Sequence, residues 1–124
     1  MRIQRLGDRH REESFYEGSG ELGVEHYFAD SIALGVHVMH YRLDPGVSEG
    51  EHLHLGGDEH SCSADDSDEL YVITAGEVVM SVDGERTVLR AGDAAYAPAG
   101  SLHGVANETD AVAELILVFG PPRG

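Results

Sequence analysis

The sequence predicts an all-β fold, an antiparallel jelly-roll barrel, on three observations. Sixteen of its 124 residues are glycine, which implies many turns. Short segments rich in β-branched and aromatic residues recur, with turn signals every five to ten residues. No segment of ten or more residues carries an apolar period near 3.6, so no amphipathic helix is expected. Eight to ten short strands in one chain fit a sandwich or barrel, and a jelly roll matches that strand number.

The elements follow in order. Residues 1–20 are polar with weak periodicity and read as an N-terminal arm, with room for a short edge strand. Residues 21–124 read as a single barrel. Leu22–Ala29 is rich in β-formers. Ile32–Leu43 is a long apolar and aromatic run ended by the turn Asp44-Pro45-Gly46. Glu51–Leu55 is a short strand, and residues 55–68, rich in Gly, Ser and Asp, form an insert loop. Glu69–Ala75 and Glu77–Val82 are strands broken at Gly76. Asp83-Gly84 then marks a hairpin leading into Arg86–Arg90. Ala94–Ala97, His103–Asn107 and Ala111–Phe119 complete the set, and Gly120-Pro121-Pro122 stops the last strand.

Charge narrows the function. There are 23 acids and eight basic residues, all arginine, for a net charge of −15. A general nucleic-acid binder needs a basic face, so that class is excluded, and adhesion to an anionic membrane is disfavoured. No apolar run approaches the ~20 residues that span a bilayer. Met1–Glu13 has no apolar stretch, so no signal peptide is expected. The single Cys62 forms no intrachain disulfide, which fits a reducing cytoplasm. Half of the arginines lie at positions 2, 5, 9 and 11, whereas the stretch between Arg42 and Arg86 holds twelve acids and no base. A solvated, salt-adapted surface accounts for most of that excess. The sharper alternative is that some of these acids, with nearby histidines, face a cation.

His52 and His54 sit two apart on a strand, so both imidazoles project from one face. Glu69 opens the next strand, with Tyr71 and Ile73 on its face. His103 opens another after a Pro-x-Gly turn. Three histidines and a carboxylate from three strands make a candidate site for Mn, Fe, Co, Ni or Zn. His37 falls with Met39, Tyr41 and Leu43 on the inward face of its strand and is a candidate pocket residue. Tyr71, Ile73 and Tyr96 are further candidates for lining the cavity. His10 and His26 read as surface residues, and Asp93 as a turn cap.

Two stretches resemble the motifs of the cupin superfamily. Gly46-x5-His52-x-His54 with Glu69-x6-Gly76 resembles the first motif. Gly92-x5-Pro98-x-Gly100-x2-His103-x3-Asn107 is similar to the second at every defining position. The resemblance implies a small single-domain cupin with one divalent metal held by His52, His54, Glu69 and His103, while Asn107 is structural. One departure stands out: fourteen residues separate His54 from Glu69, where the usual motif has three or four. Glu59 has the usual spacing, but Asp66 then occupies the position that requires glycine. Glu69 has Gly76 at the required distance and is preferred. The insert carries Asp58, Glu59, His60, Cys62, Asp65, Asp66 and Asp68. It reads as a solvated acidic loop or, alternatively, as a lid whose His60 or Glu59 reaches the metal or substrate.

The resemblance implies a metal-dependent enzyme acting on a small molecule, first a dioxygenase-like oxidoreductase in which Glu69 is a ligand and a base. The alternatives are an isomerase, cyclase or lyase, or a binding module without turnover. Five acids beside the metal mouth disfavour a strongly anionic substrate. Pairing through long apolar strands makes a homodimer the expected assembly.

Overall fold

The computed structural model describes residues 1–29, 31–53 and 66–121. His54, Glu59, His60 and Cys62 therefore lie outside the described residues. Ten strands follow one another: β1 (Arg11–Glu13), β2 (Leu22–His26), β3 (His37–Leu43), β4 (Ser48–His52), β5 (Asp68–Ala75), β6 (Glu77–Val82), β7 (Glu85–Arg90), β8 (Ala94–Ala97), β9 (His103–Ala106) and β10 (Ala113–Gly120). They form a six-stranded sheet, β1-β2-β3-β10-β5-β8, and a four-stranded sheet, β4-β9-β6-β7. Each pairing between neighbours is antiparallel. This is the all-β jelly roll expected from the sequence.

Alternation decides what faces inward. Val24, Tyr41, Leu115 and Ile73 lie side by side across four strands of the larger sheet and are buried. One row along, Met39, Leu117 and Tyr71 do the same. The smaller sheet answers with Val78, Met80 and Val105. Burying each such side chain contributes about 1.5–3 kcal/mol, and this two-sided packing holds the sheets together. At the β6–β7 hairpin, Asp83 (φ 49°) and Gly84 (φ 83°) both adopt the left-handed conformation that the Asp-Gly signal requires.

Several boundaries differ from expectation; β2 ends at His26 rather than Ala29, and β10 begins at Ala113 rather than Ala111. The apolar run at Ile32–Val36 is not strand; β3 begins at His37, and Leu34 stays 68% exposed. Without a partner strand, hydrophobic residues alone do not extend a sheet. β4 begins at Ser48, three residues before the expected Glu51.

Between Glu49 and His52, β4 has one residue more than β9 opposite it: Glu49 pairs with Val105 and His52 with His103. This bulge sets both Glu49 and His52 inward, although they are three apart. Gly50 lies inside it, and a Cβ there would meet the Tyr16 carbonyl oxygen at 1.9 Å. Only glycine admits the N-terminal segment this close. The Phe15 carbonyl accepts from both Gly18 N and Gly50 N at 3.0 Å. Residues 15–18 thus form a strap across β4, with Tyr16 (φ 53°) and Glu17 (φ 59°) in the costly left-handed region.

The arm before the strap is tied to Glu25. This carboxylate is 1% exposed. It accepts from Gln4 Nε2 (2.6 Å), Gly7 N (2.8 Å) and Arg9 N (2.9 Å). Burial pushes its pKa up, but these hydrogen bonds and nearby His10 outweigh it and hold the carboxyl below its ordinary value.

Candidate metal centre

Three buried side chains converge between the sheets: His52 from β4, Glu69 from β5 and His103 from β9. One potential ligand atom from each lies within 4.8 Å of the others. Glu69 Oε2 stands 2.5 Å from His103 Nε2 and 3.9 Å from His52 Nε2. The pairing of His52 with His103 across β4 and β9 sets their rings 4.3 Å apart. Glu69 comes from the facing sheet, so the cluster joins both layers.

Backbone carbonyls orient both rings. His52 Nδ1 donates to Gly50 O at 2.8 Å, and His103 Nδ1 donates to Ser101 O at 2.9 Å. Each Nδ1 thereby keeps its proton and each Nε2 is directed at the carboxylate. Two Nε2 atoms and a carboxylate are the donors that a first-row divalent ion takes. Without the ion, the short contact from His103 to Glu69 requires a proton. Burial works against a charged His103, but the bonded Glu69 outweighs it and raises the imidazole's pKa. A proton there neutralises the charge that a cation would otherwise meet. The residues present fit a metal.

Tyr71 supports the cluster from beneath. Its hydroxyl stands 2.7 Å from Glu69 Oε2 and 2.7 Å from Oε1 of Glu49. Tyr41 donates to the other oxygen of Glu49 at 3.1 Å. Glu49 is 3% exposed, and burial, then the neighbouring Glu69, push its pKa up to about 8. Tyr16 of the strap stacks on His52 with ring centroids 3.7 Å apart, and Phe15 stacks on Tyr41 at 5.6 Å.

The other candidates distribute unevenly. Ile73 is fully buried in the core, one row from Tyr71. His37 shares the row of Glu69 but is separated from it by Phe119, on which it stacks at 4.8 Å. His26 is half-buried rather than superficial, its Nε2 3.1 Å from His37 Nδ1. Tyr96 is 56% exposed, donates to Asp68 and shares a cavity lining with Glu69, while its neighbour Ala97 is buried. Asp68 itself opens β5 and accepts from Ala99 N at 2.7 Å. Asp93 accepts from Arg90 N at its turn, and Asn107 donates to Leu43 O and Ala111 O. Glu49 and Tyr16 were not singled out by the sequence. The only trace of Glu49 is an acid two places after Val47 on the inward side of β4.

A cavity of about 170 Å³ is lined by Glu69 itself, with Asp68, Leu70, Tyr96, Val118 and Phe119, and a second of about 240 Å³ opens between β6, β7 and β8. Met80, Val82, Thr87, Leu89 and Ala95 line it, with Glu85 also contributing. Val82 pairs with His103, and Ala95 with Tyr71, so strands of the second cavity neighbour those that carry the cluster.

Solved structures share this architecture. One is a predicted oxalate decarboxylase from Thermotoga maritima (TM-score 0.79, 22% identity, covering 98% of this chain and 100% of that one). Another is a cupin 2 conserved barrel domain protein from Salinispora arenicola (TM-score 0.74, 25% identity, 97% and 88%). A third is a sugar phosphate isomerase of the cupin superfamily from Silicibacter pomeroyi (TM-score 0.65, 23% identity, 82% and 60%). Among curated proteins none matches this chain in sequence. The family model for the cupin domain matches residues 39–119, from β3 through β10, and the chain belongs to the cupin family.

Proposed function

We propose that this cupin is a metal-dependent enzyme acting on a small, neutral or cationic organic molecule. The carrying observation is the convergence of His52, Glu69 and His103 within 4.8 Å, buried, with Glu69 lining a cavity. When bound, a divalent ion supplies a Lewis acid with positions left open for a substrate oxygen or dioxygen. The protein's own residues do the rest. His52 and His103 present Nε2 because the backbone holds Nδ1, and Tyr71 fixes the Glu69 carboxylate. Apolar Leu70, Val118 and Phe119 share the cavity lining with Glu69. The cavity lining at Glu69 includes a second carboxylate, Asp68, and no arginine, which favours an uncharged or cationic substrate over a phosphate ester.

Within this class a dioxygenase-like oxidation is the first reading and an isomerase, cyclase or lyase the second. Glu69 serves as ligand and as the nearest base. The expected fourth ligand, His54, and His60 of the insert lie outside the described residues. Cysteine usage favours the cytoplasm, and among the described residues no helix is long and apolar enough to cross a membrane.

Protein purified without chelator is expected to carry one iron, manganese, nickel, cobalt or zinc ion per chain. His103→Ala is expected to weaken binding at least ~100-fold while the chain stays folded. Absence of stoichiometric metal after reconstitution overturns the proposal. Oxygen uptake by the iron-loaded protein with catechols, flavonols or diketones tests the oxidation, and isomerised or cleaved product without oxygen consumption selects the second reading.

A further inference from the structure

Glu49 has no task in the metal site, yet it is a buried acid 2.7 Å from the hydroxyl that touches Glu69. The protons around that hydroxyl can be counted. Tyr71 has one hydrogen and faces two carboxylate oxygens at the same distance. If both acids were ionised, one contact would set two lone pairs against each other at 2.7 Å, so one acid must carry a proton. Glu69 Oε2 already takes the short contact from His103. The second oxygen of Glu49 is occupied by Tyr41, which leaves Oε1, toward Tyr71, as the place for the proton.

We infer that Glu49 is a neutral carboxylic acid whose proton bonds to the Tyr71 oxygen, so that the Tyr71 proton is committed to Glu69 and holds it in the orientation that the metal takes. Glu49 is thus a positioning residue acting through Tyr71, and this role rests on the metal reading above. Its raised pKa, about 8, agrees with a neutral acid near pH 7. Tyr41 is the second anchor, itself stacked on Phe15 of the strap. The relay, Glu49 to Tyr71 to Glu69, crosses from the smaller sheet to the larger one and links β4 to β5 at the floor of the site.

The test compares Glu49→Gln with Glu49→Leu and Tyr71→Phe. A glutamine amide still donates to Tyr71 and accepts from Tyr41, whereas leucine does neither. Cobalt(II) affinity is read by competition with a chromophoric chelator, and the cobalt absorption spectrum reports ligand geometry. Glu49→Gln is expected to keep wild-type affinity within about threefold and an unchanged spectrum. Glu49→Leu and Tyr71→Phe are expected to lose about 10–100-fold and to shift the spectrum. Equal losses for Glu49→Gln and Glu49→Leu mean that an anion is required and overturn the inference.

Infrared difference spectra of the metal-free wild type and Glu49→Gln at pH 7 provide the second arm, independent of how well Glu49→Leu folds. A protonated-carboxyl band present only in the wild type is expected, and its absence also overturns the inference. If the wild type binds no cobalt, the metal reading fails and the positioning role with it. The infrared band still decides whether Glu49 carries the proton.

Discussion

At Glu25, three hydrogen bonds from residues 4–9 turn a buried carboxylate into the anchor of the arm. Its pKa is depressed on folding, so its contribution is fully present above the ordinary carboxylate value of 4.5 and is lost as pH falls through the lower, folded value. Proteolysis within residues 1–9 is therefore expected to accelerate under acid, ahead of global unfolding. Glu25→Gln is expected to cost about 1–3 kcal/mol near neutral pH and to flatten this acid dependence, as read by thermal melts across pH.

Residue by residue, the sequence pointed to His52, Glu69 and His103 because each stands at a motif position within one residue of a strand end. It missed Glu49 because period-two alternation puts positions 49 and 52 on opposite faces, and the bulge cancels that. Tyr96, a candidate for lining the cavity, shares a lining with Glu69 while remaining 56% exposed.

Strand by strand, β4 and the strap work as one unit. Gly50 is the contact point, and its missing Cβ makes room for Tyr16. Gly50→Ala is expected to displace residues 15–18 and to destabilise the protein by about 1–3 kcal/mol, as overpacking does elsewhere. A lowered Tm together with new cleavage near Tyr16 checks this, and unchanged resistance to protease refutes it. Strand identities were legible wherever alternation and a turn signal coincide, as at β6, Asp83-Gly84 and β7. They were not legible at Ile32–Val36, where composition alone argued for strand. The strap left no sequence signal at all, since its docking depends on a glycine far along the chain.

Across the whole molecule, the outer face of the larger sheet carries two rows that the core does not use. Val38, Val118, Leu70 and Tyr96 are neighbours on successive strands, and His40, Ile116, Val72 and Ala94 run beside them. These apolar rows, on β3, β10, β5 and β8, favour the homodimer that we propose for this cupin. Native mass is expected at twice 13.3 kDa, and Val118→Glu is expected to return the protein to monomer with little change in metal affinity. A monomeric wild type refutes this. The acids that adjoin the two rows are engaged within the chain: Glu114 lies 3.3 Å from His40, Asp68 accepts from Tyr96 and Ala99 N, and Glu25 accepts from Gln4, Gly7 N and Arg9 N.

One consequence of the two Nδ1 bonds reaches beyond this chain. Both histidines are steered by main-chain carbonyls, at Gly50 and Ser101, which any residue would offer. The ligand tautomers are therefore insulated from the side chains that shape the cavity. Met80, Val82, Thr87 and Leu89 can all be exchanged without touching what aims the imidazoles. Such a division lets one cradle host unrelated reactions, and it marks the cavity wall as the place to redesign substrate choice while the cradle is left alone.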